Sequence, residues 1–504
     1  MAREVDSVYT TVSLLDALSA SANEADGRKA RGKRYPAAVI VVLLFLGYLA
    51  GNTSFRSIAR FFAPNDPSGK EQMLRTLGAL FPLPFGIPSY STFSRVMADM
   101  DPVLLVCTVS DFIYQLAVHP DNCDPQLCID GKALRAAVNK ELTGKSLYIV
   151  NVFDAACHLF LYQICVGPKA QEGKAIEEQI SDILLRDPAT ITMDAMGTKK
   201  AILDRICKAG SRAVLPVKSN NKNLMESIRS FVISYAFSGP DDVQSLVDLG
   251  DYSEEDIPSF VIRNTVCGVY EEDNRTEAPE EPKTVDTMAF LDRIFAYSTE
   301  TSDDASFPLD CRNRQLAYVR VGDRFIPMVH THGRYERREY LLISDPALIE
   351  KQQVLPAYEG WSNIHSVGCV TRYRGVEKRD PQSKARYLDV TVTCTPYILT
   401  DPMAVREFSD TCRNHWAVEC GHNVLDECFK EDRSTVRGGS APENCSLLRK
   451  LAYNVLSVII SQDTRRGVEY RKDKEGFTAV CERIRGNLSE AVNFIKKRVR
   501  IPFL

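Results

Sequence analysis

The order of predicted elements between residues 126 and 217 constrains this chain more than any other feature. Aliphatic and aromatic residues recur there at strand or helix spacing, and turn residues separate the runs. The predicted elements are strands at 126–129, 147–153 and 158–165, a helix at 170–185, a strand at 189–193, a helix at 199–209 and a strand at 212–217. Three antiparallel strands followed by helix-linked parallel strands predict one mixed sheet of the α/β class.

This order is the layout of the ribonuclease H-like fold, in which the first and fourth strands are neighbours. Asp130 follows the first predicted strand, and Asp194 follows the fourth. A single aspartate at a strand end is usually a turn or cap residue. Two of them, on strands that should be neighbours, are expected to lie close together.

Residues 406–432 are predicted to form one long helix, because they contain no Pro and only one Gly. At about 100° per residue, four polar side chains of this helix lie within roughly 60° of one another. They are His415, Glu419, His422 and Asp426. The alternative interpretation is a solvated helix face with no chemical role.

Carboxylates from two strand ends and one helix would form an all-oxygen metal site. Asp130, Asp194 and Glu419 are hard ligands, which suit Mg²⁺ or Mn²⁺ better than zinc. Two such ions about 4 Å apart activate a water or a 3′-hydroxyl and stabilise the leaving oxygen of a phosphodiester. The sequence contains neither a convincing P-loop nor a Gly-rich dinucleotide fingerprint, so nucleotide-driven chemistry is not predicted.

Residues 1–120 are predicted to be helical, with a buried helix at 37–50 that is too short to span a bilayer comfortably. Ser89 or Ser91 is expected to cap a later helix, with Arg95 near its exposed first turns. Such a helix can lie in a DNA groove. A plain helical packing domain explains the pattern equally well.

Residues 240–398 are predicted to be a β-rich insertion, and residues 240–395 are not expected to continue the sheet of residues 126–217. Its acidic segment, 241–304, holds 18 acidic and 4 basic side chains and is typical of a solvated excursion. Further on, Arg334 and Arg338 would share one face of an extended strand. DNA-phosphate contact and a solvated edge strand are both open interpretations.

The net charge of −4 is unevenly distributed. The segment 241–304 carries −14, so the rest of the chain carries +10, and residues 465–504 hold 11 basic and 5 acidic side chains. Five basic residues also lie close together near the N-terminus: Arg28, Lys29, Arg31, Lys33 and Arg34. DNA binding needs local positive surface rather than a basic average, so DNA is a permitted partner.

Fifteen cysteines without a CxxC pair, and no secretory signal, predict reduced thiols in the cytoplasm. Cys412, Cys420 and Cys428 recur every eight residues. Eight helical residues rise about 12 Å, which is too far for one zinc ion. A structural zinc site is therefore not predicted.

Several motifs, in order, carry a resemblance over nearly the whole chain. They are RGKRYPAAVIVVLLFLGYLAGNTSFRSIARFF, GIPSYSTFSRV, IDGKALR, TMDAMGTKKAI, PVKSNN, HGRYERRE and RNHWAVE with the LDECFKEDRSTVRGGSAPENCSLLRKLAYN that follows. Together they resemble the DDE transposases of bacterial insertion sequences, in the H-repeat-associated branch. Cys420 and Asn423 stand where such relatives usually carry Asn and Trp.

The resemblance implies a ribonuclease H-like catalytic core in which Asp130, Asp194 and Glu419 bind two Mg²⁺ or Mn²⁺ ions. It implies metal-dependent cleavage and strand transfer at insertion-sequence ends. We expect the partner to be double-stranded DNA with terminal inverted repeats, bound by a homodimer. The alternatives are a catalytically silent DNA-binding derivative and a nuclease without strand transfer.

Further residues are expected to assist this reaction. His415, His422 and Asp426 are candidates for supporting the triad. The candidates for DNA contact are basic: Lys132, Lys218, Arg334, Arg413, Arg437 and Arg95. The predicted domains are a helical DNA-binding domain at 1–120, the first part of the core at 121–239, the β-rich insertion at 240–398, the second part of the core at 399–460 and a basic tail at 461–504.

Overall fold

A computed structural model describes residues 9–29, 33–116, 125–138, 146–166, 174, 176–180, 188–236, 243–248, 267–270, 316–321, 324–331, 333–379, 386–468 and 473–502. The α-helices of these residues that bear on the fold are α1 (Leu14–Glu24), α2 (Ala37–Leu49), α3 (Phe55–Phe62), α4 (Pro67–Gly78), α5 (Tyr90–Asp99), α6 (Pro102–Leu116), α7 (Lys200–Lys208), α8 (Lys222–Ala236), α9 (Pro346–Gln353), α10 (Val405–Asn414), α11 (Trp416–Glu427), α12 (Ala441–Arg465), α13 (Asp473–Gly486) and α14 (Leu488–Lys496).

The strands are β1 (Tyr9–Ser13), β2 (Gln126–Val138), β3 (Ser146–Asp154), β4 (Leu159–Val166), β5 (Thr190–Met193), β6 (Arg212–Pro216), β7 (Val243–Asp248), β8 (Cys267–Tyr270), β9 (Leu316–Val321), β10 (Arg324–Thr331), β11 (Arg334–Ile343), β12 (Ser366–Arg379), β13 (Arg386–Leu399) and β14 (Arg498–Pro502). The fold is mixed α/β. The chain divides into two compact units, the first of Met1–Ile191 with Asn414–Leu504 and the second of Thr192–Arg413.

The predicted buried helix of the first unit is confirmed as α2. Every residue of α2 except Ala38 is buried. A Cβ atom at Gly47 would come within 2.7 Å of the Ile58 side chain, so α2 and α3 pack at close range. Among the described residues, none of the helices combines the length and hydropathy that a bilayer crossing requires.

The predicted cap of α5 is also confirmed. The Ser89 hydroxyl accepts a hydrogen bond from the backbone N–H of Thr92, which satisfies one of the free donors of the first turn. Phe93 of α5 packs against Phe55 of α3, with ring centroids 6.5 Å apart. Arg95 lies on the exposed side of the helix, as predicted.

The basic cluster near the N-terminus is partly neutralised by Asp26. Arg28 binds this carboxylate through Nε at 2.7 Å, and Lys33 binds it through Nζ at 2.9 Å. Burial alone would raise the pKa of Asp26, but the hydrogen bonds from Arg28 and Lys33 lower it to about 2. Two of the five predicted basic residues therefore serve an internal ion pair.

Replacing Asp26 by Asn is expected to lower the free energy of unfolding by about 1–2 kcal/mol near pH 7, after allowing for solvent screening of the partly exposed Lys33. Because folding depresses the pKa of Asp26, its contribution is full above the unfolded value of 3.8 and is lost as the pH falls toward 2. Urea unfolding of both proteins between pH 7 and pH 2.5 measures this difference. A constant difference across that range would contradict the assignment.

In the sheet of the first unit, β4, β3 and β2 pair in that order and antiparallel. The backbone N–H of Thr190 donates to the carbonyl of Pro125 at 2.9 Å, so the predicted first and fourth strands are neighbours at their first residues. Of the predicted helix 170–185, residues 176–180 are helical and much of the rest lies outside the described residues.

The prediction that the first strand ends before Asp130 is wrong. Strand β2 continues to Val138, so Asp130 lies within it. Its extension is stabilised because Leu134 joins Leu147 and Ile149 in a buried apolar cluster.

The sheet of the second unit is mixed. Its strands pair in the order β6, β13, β12, β11, β10 and β9, and β7 also pairs with β11. These pairs are antiparallel, whereas β8 runs parallel to β13. The core under this sheet contains Val214, Tyr340, Leu342, Leu399, Met403 and Phe408.

The expectation that the β-rich insertion stays apart from the preceding strands is wrong at β13. Tyr397, Ile398 and Leu399 pair with residues 214–216 of β6. The apolar end of β13 thereby enters the core of the unit. The acidic segment 241–304 lies outside the described residues except for β7 and β8, so its predicted solvated character stays a prediction.

The prediction of one helix over residues 406–432 is also wrong. It is divided at His415 into α10 and α11, although φ −56° and ψ −29° at that residue remain close to helical values. Helix α11 ends at Glu427, and Lys430 then adopts a left-handed conformation with φ +51°. Glu419, His422 and Asp426 still share α11, whereas His415 lies at its N-cap.

Candidate active site

The first unit brings Asp130 together with a histidine and an asparagine. Helix α11 packs against β2 and β3, and Nδ1 of His422 lies 3.4 Å from Oδ2 of Asp130. Asn151, directly opposite Asp130 on β3, places its Nδ2 2.8 Å from Nε2 of His422. The imidazole therefore lies between the two side chains, with Nδ1 facing Asp130 and Nε2 facing Asn151.

The charge of Asp130 is set by these neighbours. Burial raises the pKa of this carboxyl, but the hydrogen bond and charge of His422, followed by the charge of His415, reverse the effect and lower it. Asp130 is therefore held as a carboxylate. Its side chain is 21% exposed and that of His422 is 12% exposed, so this pair lies at the margin of solvent.

Close packing fixes α11 over this pair. The His422 ring stacks on Phe160, with centroids 5.8 Å apart and planes 17° from parallel. A Cβ atom at the preceding Gly421 would lie 2.9 Å from Cζ of Phe160 and 3.2 Å from Cε2 of Phe153. A glycine is needed here because only hydrogen fits between the helix and these rings.

Glu419 lies on α11, one turn before His422, and is exposed. Residues three apart on a helix are neighbours, so Glu419 lies on the side of α11 that carries His422. The structure thus places Asp130, His415, His422 and Glu419 in one region of the first unit.

Asp426 has a different environment from the one predicted. Its Oδ1 lies 2.5 Å from Nζ of Lys132, which is also 3.6 Å from Glu431 and 3.7 Å from Asp432. Lys132 is only 8% exposed. Burial, in spite of Lys132, raises the pKa of Asp426. In this structure Lys132 is a buried partner of three carboxylates, which does not support its predicted contact with DNA.

The buried network behind Lys132 was not predicted from the sequence. Glu431 accepts a hydrogen bond from the Ser446 hydroxyl at 2.8 Å, and Lys450 donates to the same hydroxyl at 2.8 Å. Burial raises the pKa of Glu431, but the charges of Lys450, Lys132 and Arg449 outweigh it and lower that pKa. These hydrogen bonds and ion pairs hold the segment that follows α11 in place.

Asp194 belongs to the second unit, directly after the buried strand β5. Its Oδ1 accepts from the N–H of Ala195 at 2.6 Å and lies 3.8 Å from Nζ of Lys218. The side chains of Asp194 and Lys218 are both about half exposed. Asp194 therefore does act as a cap, and the predicted DNA contact Lys218 lies beside it.

The other predicted DNA contacts are dispersed. Arg413 at the end of α10, Arg437 in the loop before α12 and Arg95 on α5 are all exposed. Arg334 begins β11 and pairs with Glu336.

Asp130, Asp194 and Glu419 offer oxygen donors, whose chemistry fits a hard divalent cation. Among the described residues, no three His, Cys, Asp or Glu side chains are grouped so that they could hold a metal ion.

Asn151, which contacts His422, was not predicted from the sequence. A polar residue inside the apolar run LYIVNVF was the available signal.

Comparison with known families decides the assignment. The sequence model described as DDE_Tnp_1-associated matches residues 23–113, and the model described as Transposase DDE domain matches residues 121–455. The chain belongs to the DDE transposase family. The predicted resemblance is thereby confirmed, and it associates the chain with transposition and mobile elements.

The individual relatives share only 22–30% identity with this chain, although two of the alignments cover 74–80% of it. The chain is 22% identical over 377 residues to the "H repeat-associated putative transposase YhhI" of Escherichia coli K12, covering 74% of both chains. It is 23% identical over 408 residues to the "Putative transposase YncI" of Escherichia coli O157:H7, covering 80% of both. An "Uncharacterized protein in dhlA 3'region" of Xanthobacter autotrophicus is 30% identical over 216 residues, which are 43% of this chain and 70% of that protein.

Among solved structures, a piggyBac transposase synaptic complex with hairpin DNA aligns over 97% of this chain and 84% of that chain. The TM-score is 0.34 and the identity is 9%.

Proposed function

We propose that this chain is an active DNA transposase that cuts the ends of an insertion sequence and joins them to target DNA. The observation that carries the proposal is the carboxylate of Asp130, held in its charged form by His422 on a helix that also bears Glu419. Because the chain belongs to the DDE transposase family, we interpret this arrangement as part of a site that cuts and joins DNA.

In this proposal Asp130, Asp194 and Glu419 would hold two Mg²⁺ or Mn²⁺ ions. Bound there, such ions supply Lewis-acid activation of a water or 3′-hydroxyl and stabilise the leaving oxygen of the phosphodiester. His422, through its contact with Oδ2 of Asp130, keeps this carboxylate charged and oriented. Lys218, beside Asp194, is suited to contacting a phosphate.

The proposed partner is double-stranded DNA with terminal inverted repeats, bound in the cytoplasm by a homodimer, because two ends must be brought together. Within the proposed domain at 1–120, α5 with the exposed Arg95 is a candidate for contact with DNA. The proposed core at 121–239 and 399–460, the insertion at 240–398 and the tail at 461–504 complete this arrangement.

A strand-nicking assay tests the proposal. The assay incubates purified protein with target plasmid and with a duplex that spans the DNA flanking the gene. The reaction contains Mg²⁺ or Mn²⁺, and the control contains EDTA. We expect metal-dependent nicks and joined products. Binding without nicks would instead identify a silent DNA-binding derivative, and nicks without joined products would identify a nuclease.

A further inference from the structure

One face of the sheet in the second unit is crowded with arginines. In antiparallel strands, alternate residues and directly opposite residues share a face. Glu336 of β11 lies opposite Arg374 of β12, and Arg338 lies opposite Arg372. Arg334, two residues before Glu336, is on the same side. We call these four arginines, together with Glu336, the arginine face.

The burial pattern supports this placement. Along β11, residues 334, 336 and 338 are partly exposed and alternate with buried residues. On β12, Arg372 is partly exposed and Arg374 is exposed, whereas Tyr373 between them is buried. Arg337 and Glu339 pair with each other on the opposite, buried face and do not contribute.

A single carboxylate serves three of these arginines. Glu336 pairs with Arg334, with Arg338 at 3.0 Å and with Arg372 at 3.2 Å. Burial raises the pKa of Glu336, but the charges of Arg338, Arg372 and Arg334 lower it overall. Counting the described side chains, four positive charges face one negative charge.

Fold stability alone does not explain this arrangement. Arg338 and Arg372 are directly opposite, and like charges in that relation destabilise a sheet. The ion pairs of Glu336 offset part of that cost, but this one carboxylate is shared among three arginines. Guanidinium groups held in fixed orientations are well suited to binding phosphate oxygens. Thr393 and Thr391, the β13 neighbours of Arg372 and Arg374, add hydroxyl groups that can contact the same kind of ligand.

We propose that the arginine face binds the phosphate backbone of duplex DNA. This inference rests on the proposed function and assigns the β-rich insertion a part in it. Because the contacts go to phosphates, binding at this face is independent of base sequence and depends strongly on salt.

The test is a fluorescence titration of a short mixed-sequence duplex at several salt concentrations, without divalent metal. The triple variant Arg338→Gln, Arg372→Gln and Arg374→Gln is compared with wild type. The matched control, Lys222→Gln, Lys351→Gln and Arg406→Gln, removes three positive charges from exposed helical positions of the same unit.

We expect the triple variant to bind at least about 10-fold more weakly and to reduce the slope of log affinity against log salt by about 2–3, since each phosphate contact contributes roughly 0.9. The control is expected to change the slope by less than about 1. Equal slopes in the triple variant and the control would overturn the inference.

Two single variants keep the test valid if the triple variant unfolds. Arg374→Gln alters an exposed residue and is expected to lower the slope by about 1. Glu336→Gln removes the carboxylate that competes with phosphate, so it is expected to bind several-fold more tightly; weaker binding would assign the cluster to fold stability. If wild type binds no duplex, the proposed function fails. If wild type binds and cuts DNA and the arginine variants match the control, this inference alone fails.

Discussion

Replacing Glu419 by Gln is expected to abolish metal-dependent DNA cleavage, lowering the rate by about 10³-fold or more, while DNA binding is retained. Metal-ion stabilisation of the reacting phosphodiester contributes several kcal/mol, and each 1.36 kcal/mol corresponds to a factor of ten. Glutamine keeps the size of Glu419 and removes only its charge. Asp130→Asn and Asp194→Asn are expected to have the same effect for the same reason.

The matched control for this series is Glu427→Gln. Glu427 is exposed on the same helix, eight residues and about 12 Å along the axis from Glu419. It is expected to cut at the wild-type rate. Single-turnover nicking of the flanking duplex in Mn²⁺ measures all four variants. Wild-type cleavage by the Asp130, Asp194 and Glu419 variants would refute the assignment of the triad.

Gly421→Ala is expected to lower the free energy of unfolding by about 1–2 kcal/mol. The added methyl would lie 2.9 Å from the buried Phe160 ring, and overpacking of this kind costs about 1–3 kcal/mol. The better helix propensity of Ala returns at most about 1 kcal/mol. Since α11 carries Glu419 and His422, its displacement is also expected to slow cleavage by about 10–100-fold.

Two further variants test whether crowding by the added methyl group, rather than another effect of alanine, causes these changes. Gly78→Ala at the end of α4 has nothing within 4 Å of the added methyl, so it should be neutral or slightly stabilising. Phe160→Leu combined with Gly421→Ala should recover part of the lost cleavage by making space. Urea unfolding and nicking rates measure both. A neutral Gly421→Ala would contradict the packing described for α11.

Local pattern was sufficient to predict several elements of the fold. The apolar run at 37–50, the Ser89 cap and strand β5 before Asp194 all depend on neighbours in sequence, and the structure confirms them. The length of β2 depends instead on packing between Leu134 and the next strand. Periodicity within one segment does not report such contacts.

The environment of charged groups was least predictable. Lys132 looked like a surface contact because it follows Asp130, yet it is buried by acidic residues about 300 positions away in sequence. His422 was a candidate from its helical spacing, but its link to Asn151 depends on the register of β2 and β3. Gly421 carried a usable signal, since a glycine inside a helix often marks close packing.

Iron-directed backbone cleavage tests most directly whether Asp130, Asp194 and Glu419 form one metal site. Fe²⁺ binds nitrogen and oxygen sites at least as tightly as Mn²⁺, and with ascorbate and peroxide it cuts the chain near where it is bound. We predict three groups of cuts, around residues 130, 194 and 419, all suppressed by excess Mn²⁺ and by Glu419→Gln. Cuts near only one of these residues, or an unchanged pattern in Glu419→Gln, would contradict the account.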